Sequence, residues 1–193
     1  MQASGFVLAG GASKRMGRDK ALLPYAGTTL VEHVAKTVRE AVGPVALHPV
    51  IVIGDPDRLP RLDLPVFPDE LPGCGPAGGI YTALRITQTD WNVLVACDMP
   101  AITADILCEL LRRADATERN CVAAIGTNGQ PEPLCAAYHR RCLPALTRAL
   151  RDKRLRMRDF VKEIGAVWVQ VANAALANVN TPDEWADFEA KLS

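Results

Sequence analysis

Short apolar runs alternate with amphipathic stretches along almost the whole chain. The apolar runs have the length and composition of strands that are buried on both faces of a sheet. They are GFVLA (5–9), PVIVIG (49–54), LPVF (64–67), WNVLVACD (91–98), CVAAIG (121–126), PLCAAY (133–138) and AVWVQV (166–171). The amphipathic stretches that separate them read as helices. They are TLVEHVAKTVREAV (29–42), AGGIYTALRIT (77–87), ADILCELLRRA (104–114), RCLPALTRALR (141–151) and PDEWADFEAKL (182–192). This alternation predicts a three-layer α/β domain with a mainly parallel central sheet.

Length and composition narrow the class of protein. The 193 residues show no internal repeat and no linker, so a single domain spanning 1–193 is expected. The formal net charge is zero, which disfavours nucleic acid as a partner and requires any anion site to be local. No apolar run reaches membrane-spanning length, no secretory signal is visible, and the six cysteines are scattered. We therefore expect a cytoplasmic protein with reduced thiols and no membrane partner.

A glycine-rich and basic loop, LAGGASKRMG (8–17), follows the first predicted strand. Ligands of open α/β sheets bind at the carboxyl ends of the strands, which is where this loop must lie. Gly10 and Gly11 allow backbone amides to approach a phosphate closely. Arg15 and Lys20 could then neutralise a triphosphate. The loop lacks P-loop spacing, and it predicts a polyphosphate site of another kind, with a solvated basic turn as the alternative.

Two carboxylates follow apolar runs at the same predicted edge. Asp98 ends the run WNVLVACD, and Asp69 lies in VFPDELPG. Mg²⁺ prefers one or two carboxylates together with phosphate oxygens and water, so Asp98 beside the glycine-rich loop is sufficient for a magnesium site. The alternative for either residue is a cap of the following turn. Together with the loop, these carboxylates favour a nucleotide site.

A second glycine-rich segment, GCGPAG (73–78), matches the spacing of a dinucleotide-binding fingerprint. The segment before it, FPDELP, contains two prolines where that fingerprint needs a strand, and Pro76 lies inside the loop. We therefore interpret these glycines as a second wall of the nucleotide pocket and as the entry to the helix that follows.

Five segments, in order, resemble the motifs of one family. LAGGASKRMGRDKALL resembles the signature L-A-G-G-x-S-x-R-M-G-x-D-K of nucleotidyltransferases that modify the molybdenum cofactor. FPDELPGCGPAGGI, ACDMP, PEPLCAAY and NVNTPDEW resemble later motifs of the molybdenum cofactor guanylyltransferase family. The resemblance spans nearly the whole chain and implies a Rossmann-like nucleotidyltransferase domain, with the nucleotide bound by its N-terminal part and the pterin by its C-terminal part.

This resemblance also implies a reaction and a set of residues. The family joins GMP from GTP to the terminal phosphate of molybdopterin and releases pyrophosphate. The implied residues are Leu8, Ala9, Gly10, Gly11, Lys20, Asp69, Gly75 and Asp98 for the nucleotide, Asp98 for Mg²⁺, Arg15, Lys20 and Asp98 for catalysis, and Asn178 and Asn180 for the pterin side. The implied protein partners are molybdenum-insertion proteins, chaperones and apo-molybdoenzymes.

The chain departs from the family pattern at two places. The motif G-P-L-A-G reads GPAGG here, with Ala77 and Gly78 in place of Leu and Ala, which predicts a looser wall of the pocket. After the second predicted strand the family can place an Asn near the nucleotide. This chain has VIGDPD there, so Asp55 or a backbone group of Gly54 would have to substitute.

The densest basic run is RDKRLRMRD (151–159). One interpretation is a clamp on the substrate phosphate, with Arg154 or Arg156 reaching into the cleft. The other is a solvated helical face. The three histidines and three tryptophans are expected to pack or to lie on the surface, without a part in catalysis.

Three other functions fit parts of the pattern. The sister cytidylyltransferases make the cytosine dinucleotide of the same cofactor, but they tend to have L-A-A-G where this chain has L-A-G-G, so Gly11 favours GTP. A non-catalytic GTP-binding module would not need Arg15, Lys20 and Asp98 together. Sugar-1-phosphate nucleotidyltransferases usually have longer chains, because they carry a sugar-binding subdomain.

Overall fold

A central sheet organises the part of the chain that the structure, a computed structural model, describes: residues 1–10, 19–59, 62–179 and 184–185. Its strands are β1 (Ala3–Leu8), β4 (Ile51–Ile53), β5 (Val66–Phe67), β6 (Trp91–Ala96), β7 (Cys121–Gly126), β8 (Pro131–His139) and β9 (Val167–Val171). Their order across the sheet is β5-β4-β1-β6-β8-β7-β9. A separate small hairpin pairs β2 (Pro24–Tyr25) with β3 (Thr28–Thr29). The sheet is mainly parallel, as predicted.

Helices cover both faces of this sheet. They are α1 (Leu30–Val42), α2 (Pro76–Ile86), α3 (Ala104–Asp115), α4 (Leu143–Arg151) and α5 (Met157–Glu163). Residues of α1 and α3 belong to one apolar cluster, and residues of α2, α4 and α5 belong to another. Along β1 the side chains alternate between the two clusters, with Val7 in the first and Phe6 and Leu8 in the second. The predicted three-layer arrangement is therefore confirmed.

The strands predicted from the apolar runs are all present, with ends that differ by a few residues. The helices predicted over 29–42, 77–87, 104–114 and 141–151 are present as well. The last predicted helix, 182–192, lies mostly outside the described residues, although Glu184 and Trp185 are helical. Within the described part of the chain, no helix is both long enough and apolar enough to cross a bilayer.

Among the described residues, a short hairpin and one α-helix were not predicted. The β2–β3 hairpin has strands too short to show an alternating pattern, and its turn places both Ala26 and Gly27 at positive φ, 47° and 80°. Helix α5 begins within the basic run at 151–159 and extends four residues beyond it. The helix has only three buried residues, Met157, Phe160 and Val161. Charged residues lie between and beside them, so the sequence shows no clear apolar periodicity there.

Strand β8 runs against the direction of its two neighbours, β6 and β7. It also bulges, because Ala136 pairs with Ala123 whereas Glu132 pairs with the next residue, Ala124. Residues 133–135 are therefore inserted on the β8 side of this pairing. The fully buried Tyr138 hydroxyl donates a hydrogen bond to the Pro133 carbonyl at 2.9 Å, which ties the two ends of the bulge together.

Replacing Tyr138 by Phe should loosen this bulge without leaving a cavity. The Pro133 carbonyl would lose its buried donor, so we expect the free energy of unfolding to fall by about 1–2 kcal/mol. Urea denaturation measures this change. Tyr81→Phe, on the half-exposed side of α2, is the matched control and should change stability by less than about 0.5 kcal/mol. Equal effects of the two variants would contradict a structural role for the Tyr138 hydroxyl.

Candidate active site

Four strand ends meet at one edge of the sheet. β1, β4 and β6 are parallel and end there, and β8 begins there because it runs the opposite way. The loops after β1 and β6 are tied together by a hydrogen bond from the Cys97 amide to the Leu8 carbonyl at 3.0 Å. The Ala9 amide donates to the Ile53 carbonyl at 2.8 Å. The end of β1, with Ala9 and Gly10 after it, and the turn that carries Asp98 are thus held side by side.

Lys20 and Asp98 form an ion pair at this edge. Lys20 Nζ lies 3.1 Å from Asp98 Oδ2, and the two side chains are only 18% and 20% exposed. Lys20 Nζ also donates to the Val179 carbonyl at 3.3 Å, and the Val179 amide donates to the Asp98 carbonyl at 3.0 Å. Three segments that are far apart in the sequence therefore meet around one ammonium group.

Asp19 positions Lys20, and the sequence analysis did not assign it a role. Its Oδ1 accepts a hydrogen bond from the Ala21 amide at 3.1 Å, which caps the short 3₁₀ helix Lys20–Leu22. Its Oδ2 lies 2.6 Å from Nη2 of Arg58. An Asp directly before a helical turn is a capping signal, and that signal could have identified the residue.

Leu8, Ala9 and Gly10 differ in what they offer a ligand. Leu8 and Ala9 are buried, 7% and 8% exposed, and they fix the start of the loop within the core. Gly10 is exposed, and no atom of the described residues lies within 4 Å of the place where a Cβ would be. A ligand can therefore approach the backbone of Gly10 closely. Gly11 and Arg15, which the sequence analysis also assigned to this loop, lie outside the described residues.

Asp69 anchors the loop that leads into α2. Its Oδ1 accepts a hydrogen bond from the Leu71 amide at 2.9 Å and lies 3.2 Å from the buried Thr82 hydroxyl. A Cβ at Gly78 would lie 2.9 Å from Asp69 Oδ2 and 2.6 Å from the Leu71 carbonyl oxygen. The expectation that Gly78 loosens this wall is therefore wrong, because the loop closes onto the helix where the side chain is missing. Contact between Asp69 and a nucleotide stays a prediction.

Gly75 starts α2 with a backbone conformation that favours glycine. Its φ is 58° and its ψ is −148°. It is exposed, and a Cβ there would meet no atom of the described residues within 4 Å. The conformation therefore explains the glycine. The role of Gly75 as a wall of the nucleotide pocket stays a prediction.

Gly54 and Asp55, which follow β4, were proposed to replace the family Asn near the nucleotide. They differ in whether they have a polar group that is still available to a ligand. The Gly54 amide donates to the Phe67 carbonyl at 2.9 Å and is used by the sheet. Asp55 is exposed, and its Oδ1 accepts from the Asp57 amide at 3.0 Å. Of the two, Asp55 keeps a carboxylate oxygen that faces solvent near the edge.

A cleft of about 490 Å³ adjoins this edge on the side of β8. Its walls come from the start of α2, the start of β8, the segment 155–159 and Asn178. Arg156 lines the cleft, as the clamp interpretation predicts, and Arg158 does too. Arg154 does not, because it is paired with Glu163 and Asp152 at the surface. Asn180, the other residue assigned to this side, lies outside the described residues.

Glu132 is a site residue that the sequence analysis missed. It is 8% exposed and lines the cleft at the start of β8. Burial raises the pKa of its carboxyl group, and the nearby charge of Asp98 adds to this rise. The Leu134 amide, which donates to Glu132 Oε1 at 3.2 Å, and Arg158 oppose it. The signal in the sequence was an acid between two prolines in an otherwise apolar strand.

The histidines have structural contacts. His33 Nε2 lies 3.2 Å from the Pro100 carbonyl oxygen, and its ring packs edge-on against Tyr25. His139 Nδ1 accepts from the Arg141 amide at 3.1 Å, and its ring packs against Trp91. His48 Nε2 lies 3.1 Å from Oε1 of Gln88. Packing accounts for the rings of His33 and His139, and His48 lies on the surface, in agreement with the prediction.

The donors at the edge suit a magnesium ion that arrives with a nucleotide. In the ranges that the structure describes, no group of three or more His, Cys, Asp or Glu side chains is arranged to hold a metal by itself. Asp98 supplies one partly buried carboxylate beside the open Gly10 backbone. A single carboxylate with phosphate oxygens and water matches the coordination that Mg²⁺ prefers.

Comparison with known proteins gives one consistent result. A family model described as the MobA-like NTP transferase domain matches residues 5–167. A probable molybdenum cofactor guanylyltransferase of Bacillus subtilis (strain 168) is 35% identical, over 96% of this chain and 94% of its own. One from Carboxydothermus hydrogenoformans is 33% identical, over 96% and 93%. The crystal structure of molybdopterin-guanine dinucleotide biosynthesis protein A from Archaeoglobus fulgidus superimposes with a TM-score of 0.78 at 25% identity, covering 98% of each chain.

Gly78→Ala should displace the Asp69 loop. The new methyl group would collide with the Leu71 carbonyl and the Asp69 carboxylate, and we expect a loss of about 1–3 kcal/mol in the free energy of unfolding. Urea denaturation measures the loss, and faster hydrogen exchange at the Leu71 amide locates it. Gly79→Ala, one residue along the same helix, is the control, because the nearest described atoms to its methyl group would be the end of the Leu8 side chain at 3.3 Å and Ile53 Cγ2 at 3.8 Å. If Gly78→Ala were as stable as the control, the loop would not be packed as described.

Proposed function

This chain belongs to the MobA-like NTP transferase domain family, and on that premise we propose that it transfers GMP from GTP to the terminal phosphate of molybdopterin, with release of pyrophosphate. It is a nucleotidyltransferase of molybdenum cofactor biosynthesis. The observation that carries the proposal is the Lys20–Asp98 pair, which lies between the open backbone of Gly10 and the cleft lined by Arg156 and Arg158. A triphosphate on one side and a phosphorylated acceptor on the other would meet at this pair.

The proposed reaction requires that the negative charges of the two phosphates are shielded and that the two substrates are aligned for in-line attack. An oxygen of the acceptor's terminal phosphate forms a bond to the α-phosphorus of GTP. The bond from that phosphorus to the oxygen that bridges to the β-phosphorus breaks, and pyrophosphate leaves with the electron pair. The attacking oxygen is already ionised, so no side chain has to remove a proton. The protein's task is to hold two anions in line and to stabilise the charge on the leaving group.

Lys20 and Asp98 divide this task between them. Lys20, held by the Asp19 cap, would bind the phosphates of the nucleotide as a compact positive charge. Asp98 would hold Mg²⁺ together with phosphate oxygens. When bound, this ion would supply positive charge to the phosphate oxygens in the transition state. Arg15, which is not among the described residues, would contribute a second positive charge to the phosphate site.

The charged residues on the cleft wall support a phosphorylated acceptor there. Arg156 and Arg158 would bind its terminal phosphate, because a guanidinium matches phosphate geometry with paired donors. Asn178, on the cleft wall, would contribute side-chain hydrogen bonds to the pterin. The predicted protein partners, namely molybdenum-insertion proteins, chaperones and apo-molybdoenzymes, would deliver this acceptor or receive the product.

The direct test is an assay of the purified protein with Mg²⁺ and molybdopterin, with GTP or CTP supplied separately. We expect dinucleotide and pyrophosphate from GTP alone. Product from CTP alone would contradict the assignment of the base and favour the cytidylyltransferase reaction. GTP binding without product from either nucleotide would contradict transfer to molybdopterin and favour a binding module.

Two variants test the division of roles. Asp98→Asn should lower Mg²⁺-dependent turnover by about 100-fold or more with little change in fold, because the amide is isosteric but a poor metal ligand. Lys20→Ala should weaken GTP binding by roughly 10-fold to 100-fold, the loss expected for one charge-assisted interaction. Turnover and equilibrium binding of GTP measure the two effects. Asp63→Asn and Lys36→Ala, both at exposed positions, are the matched controls. Near-normal turnover of Asp98→Asn would remove Asp98 from the metal site.

A further inference from the structure

Glu132 is a buried carboxylate that faces a ligand-sized cleft. It is 8% exposed, and it lies on the cleft wall together with Pro133 and Leu134. A buried carboxylate is costly unless hydrogen bonds or cations satisfy it. Its position on β8 is also held firmly, by the bulge and by the hydrogen bond from Tyr138 to Pro133. The protein therefore holds a carboxylate in a fixed position although its burial is energetically unfavourable.

The described contacts use little of the bonding capacity of this carboxylate. A carboxylate can accept about four hydrogen bonds. Within the described residues, Glu132 accepts one, from the Leu134 amide to Oε1 at 3.2 Å. Arg158 Nη2 lies 3.9 Å from Oε2, which is an ion-pair distance and too long for a hydrogen bond. Lone pairs on both oxygens therefore remain for a donor in the cleft.

The rest of the cleft wall fits a flat ring that carries a phosphate. Pro76, Pro133, Leu134, Leu155 and Met157 supply apolar surface. Arg156 and Arg158 supply two positive charges against the one negative charge of Asp159. A ligand that satisfies all of these groups has a planar body, an anionic arm and, toward Glu132, an edge with two adjacent N–H donors.

We propose that Glu132 recognises the 2-amino-4-oxo edge of the pteridine ring of the acceptor, by accepting hydrogen bonds from N3–H and from the 2-amino group. These two donors are parallel and match the two oxygens of a carboxylate. The inference rests on the proposed function, since it names the group that selects the acceptor of that reaction. Glu132 is a substrate-binding residue in this scheme and takes no part in bond making.

Two other roles for Glu132 agree less well with its surroundings. As a metal ligand it would share the ion with Asp98, but the guanidinium 3.9 Å from Oε2 opposes a second cation there. The guanine of GTP has the same pair of donors as the pterin. However, Glu132 faces the cleft with Arg156, Arg158 and Asn178, whereas the open backbone of Gly10 follows β1, on the other side of β6 in the sheet. The experiment below separates these sources.

The test compares pterin with lumazine, in which a carbonyl oxygen replaces the 2-amino group. Binding of each free ring to the full-length protein can be followed by pteridine fluorescence. The wild-type protein should bind pterin at least tenfold more tightly than lumazine, because a carboxylate facing the lumazine oxygen would be repelled. Glu132→Gln should lower this ratio by tenfold or more, because its amide can accept from N3–H and donate to the lumazine oxygen. Glu163→Gln, the same substitution at an exposed position of α5, should leave the ratio unchanged.

A second arm identifies the source of the donor pair and keeps the two proposals separate. Glu132→Gln should leave the affinity for GTP relative to XTP unchanged, and a shift there would assign Glu132 to guanine and overturn the inference. A wild-type protein with no preference for pterin, a measurement that needs no variant, would overturn it as well. If GMP transfer proceeds while the pterin ratio of Glu132→Gln is unchanged, this inference fails alone. If the ratio shifts as expected but GTP yields no dinucleotide, the proposed reaction fails and the recognition by Glu132 stands.

Discussion

The contact between Lys20 and Asp98 is the interaction on which the architecture of the site depends. It joins the loop after β1 to the turn after β6, and through the Val179 carbonyl it also holds the segment that follows β9. Because both side chains are largely shielded from water, their attraction is stronger than that of a surface pair. Each is also the natural partner of one half of a magnesium–triphosphate complex. In the proposed reaction Lys20 would exchange this contact for the phosphates of the nucleotide, and Asp98 would hold the magnesium ion.

The reversal of β8 has a comparable importance for the second half of the site. In a sheet with parallel strands only, the edge after β6 would receive carboxyl ends and their loops. Here an antiparallel strand brings its first residues to that edge, and with them Glu132 between two prolines. Neither proline can donate a hydrogen bond to a neighbouring strand, which suits a segment that bulges out of the pairing. The side of the cleft proposed for the acceptor is thus carried by a strand, which holds a binding group more precisely than a loop does.

Much of the fold and of the site could be predicted from the sequence, because the burial of apolar side chains produces regular patterns along the chain. Buried strands appear as apolar runs, so the sheet, its layers and the convergence of Lys20 with Asp98 at one edge were accessible. Glu132 and Asp19 were missed although each leaves a signal in the sequence, an acid between two prolines and an Asp directly before a helical turn. These signals indicate local structure only, and the importance of each residue depends on which strands and segments lie beside it. The effect of Gly78 was predicted with the wrong sign, since a missing side chain looks like empty space until the loop that fills it is seen. Gly11, Arg15 and Asn180 lie outside the described residues, so their roles remain predictions.

The bulge in β8 has a consequence for how such an enzyme can diversify. The nucleotide half of the edge rests on β1 and β6 and on their hydrogen bonds to each other. The proposed acceptor side lies at the start of β8, where Glu132 pairs with Ala124 of β7 and residues 133–135 form the insertion that does not pair with it. Strand pairing uses backbone groups, so a change of the Glu132 side chain leaves the register of the sheet intact. Evolution, or an engineer, can exchange the group that meets the acceptor while the triphosphate machinery stays as it is.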